Sequence, residues 1–266
     1  MKTLLGWKFA ATLCAVTVCS PCVHAFVTNG TKWGMGPNVA EQLSGNEGSP
    51  GAFTWSIMEP GLGFQGYESH AGALTSEFGL LLGGSTRTEE IAAIEWALGE
   101  WASVSGLTLM GPVADGGVNG GAPESMGGHL GDMRFGAVGE GYGGAVLGHA
   151  YQPGNESIYG TGGSITGDIH MNTQYTFVDD PNQVWQGGDP FDFKTVMLHE
   201  IGHSLGLGHS DVPGSIMRSE YIGTKRDLRA DDIAGIQYIY GPVPEPATFA
   251  ALGLGLLALC RRRKVA

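Results

Sequence analysis

The stretch His199-Glu200-Ile201-Gly202-His203-Ser204-Leu205-Gly206-Leu207-Gly208-His209 decides how this chain is read. Its form is H-E-x-x-H-x-x-G-x-x-H. On a helix, His199 and His203 lie one turn apart on the same face, so both imidazoles reach one ion. Glu200 stands beside the first of them, where a carboxylate can take a proton from a metal-activated water. Gly206 lets the helix stop and the chain reverse, because glycine enters the left-handed region without steric cost. The reversal returns His209 as a third ligand. Three nitrogens from the protein leave a coordination position open, the arrangement of a catalytic rather than a structural Zn2+. At this chain's residue frequencies the full pattern arises by chance in roughly one such sequence in ten thousand, which sets aside the reading as ordinary surface or core histidines.

Outward from the motif, composition bounds the rest. The chain has 266 residues, 42% of them hydrophobic and 15% charged, with 46 glycines. That supports a packed core in one or two domains, rich in loops and without a repeat. The four cysteines fall at Cys14, Cys19, Cys22 and Cys260. Residues 26–242 therefore contain none, so no disulfide staples them. This stretch holds 8 Lys and Arg against 25 Asp and Glu, a net charge of −17. Such an acidic surface argues against nucleic acid as a partner.

Both ends read as targeting segments. Lys2 and Lys8 precede the apolar run Phe9 to Val18, and Val23-His24-Ala25 ends in a small residue suited to cleavage. Residues 1–25 are expected to be a signal peptide; an ordinary buried first helix is the alternative. At the other end, Val243-Pro244-Glu245-Pro246 leads into Ala247 to Cys260, where only Thr248 is polar, and then Arg261-Arg262-Arg263-Lys264. This apolar stretch falls short of the roughly 20 residues that span a bilayer comfortably. Residues 243–266 therefore read as a sorting tail held transiently in the membrane, with a permanent anchor as the competing reading. The order Pro-Glu-Pro, apolar helix, basic cluster resembles the PEP-CTERM sorting signal of Gram-negative-type bacteria.

Between the ends, periodicity predicts five strands: 52–58, 107–110, 132–135, 145–151 and 168–171. A helix is expected over Thr88 to Val104, with Thr88 as cap. The motif helix is expected from Asp189-Pro190 to about Leu205, capped by Asp189, and a last helix over Ala230 to Tyr240. Phe26 to Trp33 reads as a lead-in. Residues 61–88 read as a glycine-rich insertion with a short apolar piece at Phe78–Leu82.

The histidine motif followed by Ser215-Ile216-Met217 resembles the metzincin zinc proteases, and within them the matrixin, or matrix metalloprotease-like, group. Asp231-Asp232-Ile233-Ala234-Gly235-Ile236-Gln237 is similar to the group's last helix, and Val146-Leu147-Gly148-His149-Ala150-Tyr151 to its edge strand. The resemblance covers most of 52–242, apart from the insertion. It implies an α+β zincin fold: a twisted, mostly parallel five-stranded sheet with three helices. It implies a methionine, Met217, packed beneath the histidines, and substrate strands pairing along Leu147 and Gly148. The segment from Met217 onward would shape the pocket for the side chain after the scissile bond. His149 and His170 match two ligands of the group's second zinc, but Ala137–Gly144 supplies only Glu140 in place of the other two. Asp132 and Asp168 match one calcium site, with carbonyls near Ser164 and Thr166. The group's cysteine latch has no counterpart.

The expected function is hydrolysis of protein or peptide substrates outside the cytoplasm. Zn2+ is held by His199, His203 and His209, with Glu200 as general base and Ca2+ as a further candidate cofactor. Tyr221, four residues past Met217, is a weaker candidate for a second acid. The partners expected are the export and sorting machinery at the two termini, with a monomeric chain at the cell surface, outer envelope or extracellular matrix. Two rivals stand: a non-catalytic surface or biofilm-matrix protein whose zinc is structural, and a narrow processing or self-cleaving peptidase.

Overall fold

Trp55, Phe53, Ile57 and the apolar residues of 133–138 alternate or run together in the pattern of strands covered on both faces. They form the middle of the sheet. A computed structural model describes residues 25–37, 39–64, 73–83, 85–122, 131–139, 146–154, 156–159, 164–184 and 189–243. All but the last residue of the expected signal peptide, all but the first residue of the expected sorting tail, and Glu140 lie outside them.

An N-terminal hairpin comes first, with β1 (Thr31–Trp33) antiparallel to β2 (Ala40–Gln42). The next strand is split in two, β3 (Gly51–Phe53) and β4 (Trp55–Ile57). The split falls at Thr54, whose N–H and hydroxyl both donate to the Asp132 carboxylate, at 2.6 and 2.9 Å. β3 pairs in parallel with β6 (Leu107–Leu109), and β4 in parallel with β7 (Met133–Val138). β7 pairs in parallel with β9 (Ile169–Asn172), which carries the antiparallel edge strand β8 (Gly148–Ala150). Counting β3 and β4 as one strand, the order is β6, β3/β4, β7, β9, β8. This is the expected α+β fold, with five mostly parallel strands.

The insertion is built in, not appended. Its β5 (Thr75–Ser76) pairs antiparallel with the far end of β7, and Phe78–Leu82 winds as a 3-10 turn. Phe78 is buried edge-on against Phe193. Sequence periodicity missed β5 because two residues carry no period.

Three long helices pack on the sheet. α1 (Arg87–Ser103) is capped by Thr86, not the expected Thr88. A capping box needs a Glu three residues after the cap, and Glu89 stands at that distance from Thr86. Ala93, Ile94, Ala97, Leu98 and Trp101 form its buried face, and Trp101 Nε1 donates to the Leu198 carbonyl at 3.1 Å. After the single turn α2 (Glu156–Tyr159) and the short parallel pair β10 (Phe177–Val178) and β11 (Phe191–Asp192), the motif helix α3 runs Phe193–Ser204. Its cap is Asp192, whose carboxylate accepts from the Thr195 N–H and hydroxyl. The expected cap, Asp189, instead accepts from the Thr176 N–H, because β11 keeps the backbone extended as far as Asp192. α4 (Ala230–Tyr240) closes the domain. Among the described residues no helix is long and apolar enough to cross a membrane.

One buried ion pair ties the loop 110–118 to the sheet. Arg134, with no exposed surface, grips Asp115 through Nε (2.8 Å) and Nη2 (3.0 Å) and donates to the Val118 carbonyl. Removing one partner of such a pair strands the other charge in the interior. Arg134→Leu is expected to lower unfolding free energy by about 3–5 kcal/mol, read from urea denaturation.

Candidate metal centre

α3 presents His199 and His203 from one face, and the turn after it returns His209. The ligand atoms of the three lie within 4.8 Å of one another, the single group of three or more such residues found among those described. His199 Nδ1 is 2.9 Å from the Ile216 carbonyl and His203 Nδ1 is 2.8 Å from that of Leu207. A carbonyl only accepts, so each Nδ1 carries the hydrogen, and each Nε2 presents a lone pair. The two Nε2 atoms face each other at 3.0 Å. Two lone pairs that close repel unless a cation sits against both; nitrogens on one tetrahedral zinc stand roughly 3.3 Å apart. The donor set therefore fits zinc. Burial lowers the pKa of His199 to about 4 and of His203 to about 3, the latter pushed further by His199. Both are thus neutral ligands at neutral pH.

The turn that returns His209 is held from several sides. Gly206 has φ 101°, and a Cβ there would stand 2.4 Å from the Thr31 carbonyl oxygen, so glycine is needed twice over. The lead-in segment proves to be part of the site. Thr28 bridges Leu207 antiparallel, Asn29 N–H donates to the Gly206 carbonyl, and Gly208 N–H donates to that of Val27. Asn29 Nδ2 also donates to the Leu207 carbonyl, the same oxygen that orients His203.

Beneath the histidines lies Met217, 2% exposed. A Cβ on Gly202 would come within 2.3 Å of its sulfur, so a side chain at position 202 would displace Met217. The turn carrying Met217 hangs from Asp232 on α4. That carboxylate accepts from the Ser215 hydroxyl and from the N–H groups of Ile216, Met217 and Arg229. Its neighbour Asp231 accepts from Ser210, next to His209. The sequence placed these two aspartates on the last helix without a role; two acids in a first turn, one more than capping uses, were the available signal.

Glu200 is 5% exposed, and a Cβ on Gly148 of β8 would lie 3.4 Å from its Cγ. Burial lifts its pKa to about 8. A cleft of about 700 Å³ runs past it, bounded by Leu147 and Gly148 on one side and by Ile216, Tyr221 and Lys225 on the other. Tyr221 lines the cleft; its oxygen accepts from the Asp192 N–H and its ring packs on Phe191.

The remaining expected residues fall elsewhere. His149 and His170 are cross-strand partners with ring centroids 5.0 Å apart, and Phe64 of the insertion packs edge-on at 5.0 Å from His170. Asp132 is engaged by Thr54, and Asp168 lies 3.8 Å from the Arg134 guanidinium.

A long helix with paired histidines, a glycine turn to a third, and a methionine below, set against an antiparallel edge strand, defines a protein of the metzincin type. The matrixin family model matches residues 84–241, and the chain belongs to the matrixin family. A PEP-CTERM protein-sorting motif matches residues 242–264. The chain is 43% identical over 103 residues to matrilysin of Rattus norvegicus, covering 37% of this chain and 33% of the relative. It is 36% identical over 164 residues to interstitial collagenase of Sus scrofa, covering 60% and 30%. A probable matrix metalloproteinase of Invertebrate iridescent virus 3 is 38% identical over 109 residues, covering 40% and 26%. The chain spans a third or less of the length of these curated relatives.

Two outcomes follow from this geometry. Asp232→Ala strands buried N–H groups, so it is expected to cost about 2–4 kcal/mol of stability and to weaken zinc retention, measured by denaturation and by competition with a chelator. Glu200 has a folded-state pKa raised above its unfolded value, so its contribution to stability is complete below about pH 4.5 and is lost as pH rises through about 8. In metal-free protein, Glu200→Gln is therefore expected to melt above the wild type by a margin that widens from pH 4.5 to 8, by a few kcal/mol.

Proposed function

We propose that this protein is an exported zinc endopeptidase. The observation that carries the reading is the convergence of three imidazoles, two of them held neutral with Nε2 inward, beside a buried carboxylate on a cleft that runs past the edge strand β8. His199, His203 and His209 are the ligands. Bound zinc supplies Lewis-acid chemistry, polarising the scissile carbonyl and making a water acidic. Glu200 takes that water's proton at its carboxylate and passes it to the leaving nitrogen. Its place against Gly148 sets it at the edge where substrate backbone lies.

The substrate strand adds to β8. The Leu147 carbonyl already accepts from the Asn172 N–H inside the sheet, and the Tyr151 N–H donates to Asp168. By the alternation of an antiparallel ladder, Gly148 and Ala150 turn their backbone groups outward. Gly148 is therefore the stronger of the two expected contacts, and Leu147 contributes its side chain to the cleft.

We assign residues 1–25 as signal peptide, 26–242 as the peptidase domain and 243–266 as the sorting tail, with a cell-surface or outer-envelope destination in a Gram-negative-type bacterium. The sorting motif supports the last two. For the second metals the support is slight. His149 and His170 bring two imidazoles together, with Phe64 packed beside them. Arg134 sets a positive charge beside Asp168, which disfavours a dication there. One zinc per chain is the reading.

A zinc retained only for stability gives no use to Glu200, whose burial disfavours its ionised form. Purified protein is expected to cleave casein or a peptide library, to lose that activity on zinc chelation, and to fall by about 100-fold or more as Glu200→Ala. Hydrolysis that survives both treatments would sink the reading.

A further inference from the structure

Two basic side chains, Arg218 and Lys225, line the wall of the cleft opposite the edge strand. Of the 8 Lys and Arg in 26–242, four fall between Arg218 and Arg229, directly after the methionine turn. Arg226 is engaged by Asp192 and Asp179, and Arg229 by Asp227 at 3.0 Å. Arg218 lines the cleft. It donates through Nη1 to the Asp211 carbonyl at 3.4 Å and lies 3.9 Å from exposed Glu220, while its buried Nε has no partner.

Lys225 is the exception. Its backbone is held by the Thr195 hydroxyl, which accepts from its N–H at 2.7 Å. The residue lines the cleft beside Thr195, Val196 and Tyr221. Its Nζ is buried and meets no acceptor. Asp232, an acid whose field reaches it, is already committed to Ser215, Ile216, Met217 and Arg229. Burial first, and then Arg218, press the ammonium below its usual pKa. A buried cation without an acceptor is unfavourable in the free protein, and a ligand that brings an acceptor relieves it.

We propose that Lys225, with Arg218 beside it, selects an acidic side chain, glutamate or aspartate, at the substrate position immediately after the scissile bond. This rests on the peptidase reading above and names its substrate class. A substrate carboxylate supplies the acceptor that Lys225 lacks. Leucine leaves the ammonium unpaired, and lysine there meets a like charge. The net charge of −17 over 26–242 repels generally acidic peptides at long range, so the preference is confined to this one position.

The test uses zinc-loaded protein and peptides identical except for Glu, Gln, Leu or Lys after the cleaved bond. The wild type is expected to favour Glu over Leu in kcat/KM by roughly tenfold or more. That ratio collapses in Lys225→Met, survives in Lys225→Arg, and reverses toward Lys in Lys225→Glu. Calorimetric binding of the tripeptides Glu-Ala-Gly and Leu-Ala-Gly to zinc-loaded Glu200→Ala protein follows the same order, and loses it when Lys225→Met is added. Should Lys225→Met fail to fold, Lys225→Gln carries the comparison. Hydrolysis with Leu equal to or ahead of Glu, or a Glu-to-Leu ratio unchanged in Lys225→Met, overturns the proposal and leaves the peptidase reading standing. Absence of hydrolysis of every peptide overturns that reading and the proposal with it.

Discussion

Two backbone carbonyls, those of Ile216 and Leu207, govern the centre of this molecule. By accepting from Nδ1 of His199 and His203 they fix which nitrogen of each ring carries hydrogen, and so turn two lone pairs inward. Everything nearby serves to hold those two oxygens. Ile216 is set by Asp232, which gathers the 215–217 turn onto α4. Leu207 is set by the Gly206 reversal and by Asn29, from a segment nearly 180 residues earlier. The candidate metal site is thus a meeting of four distant stretches and not a property of one helix.

This explains why glycines are conspicuous at the centre. Gly202 admits the Met217 sulfur, Gly206 admits the Thr31 carbonyl, and Gly208 admits Val27. Each stands where another backbone or side chain must come closer than a Cβ permits. The general abundance of glycine in the chain reads as loops, whereas these three are close-packing positions.

Away from the metal, the domain holds itself together with charges of its own. Arg134 and Asp115 neutralise each other in the interior, close to Asp168. The insertion contributes β5 to the sheet and Phe64 to the rings around His170. An acidic chain with no cysteine in 26–242 thus draws rigidity from buried pairing and aromatic packing, and two of its eight basic residues there, Arg218 and Lys225, line the cleft.

Much of this was legible in the residues. The cluster of His199, His203 and His209 is written in spacing, because helical period and a glycine turn are local. The five strands and the last helix followed from apolar pattern in the same way. What local pattern misplaced were the helix starts. Thr86 displaced Thr88 because Glu89 completes its capping box, and Asp192 displaced Asp189 because β11 holds the chain extended. Only the tertiary structure decided the imidazole orientation, the role of the lead-in at 27–29, the anchoring by Asp232 and the isolation of Lys225. Each of these depends on a partner far away in sequence. A hydrogen bond or a missing acceptor is a fact about proximity, and periodicity carries no information about which distant carbonyl will arrive.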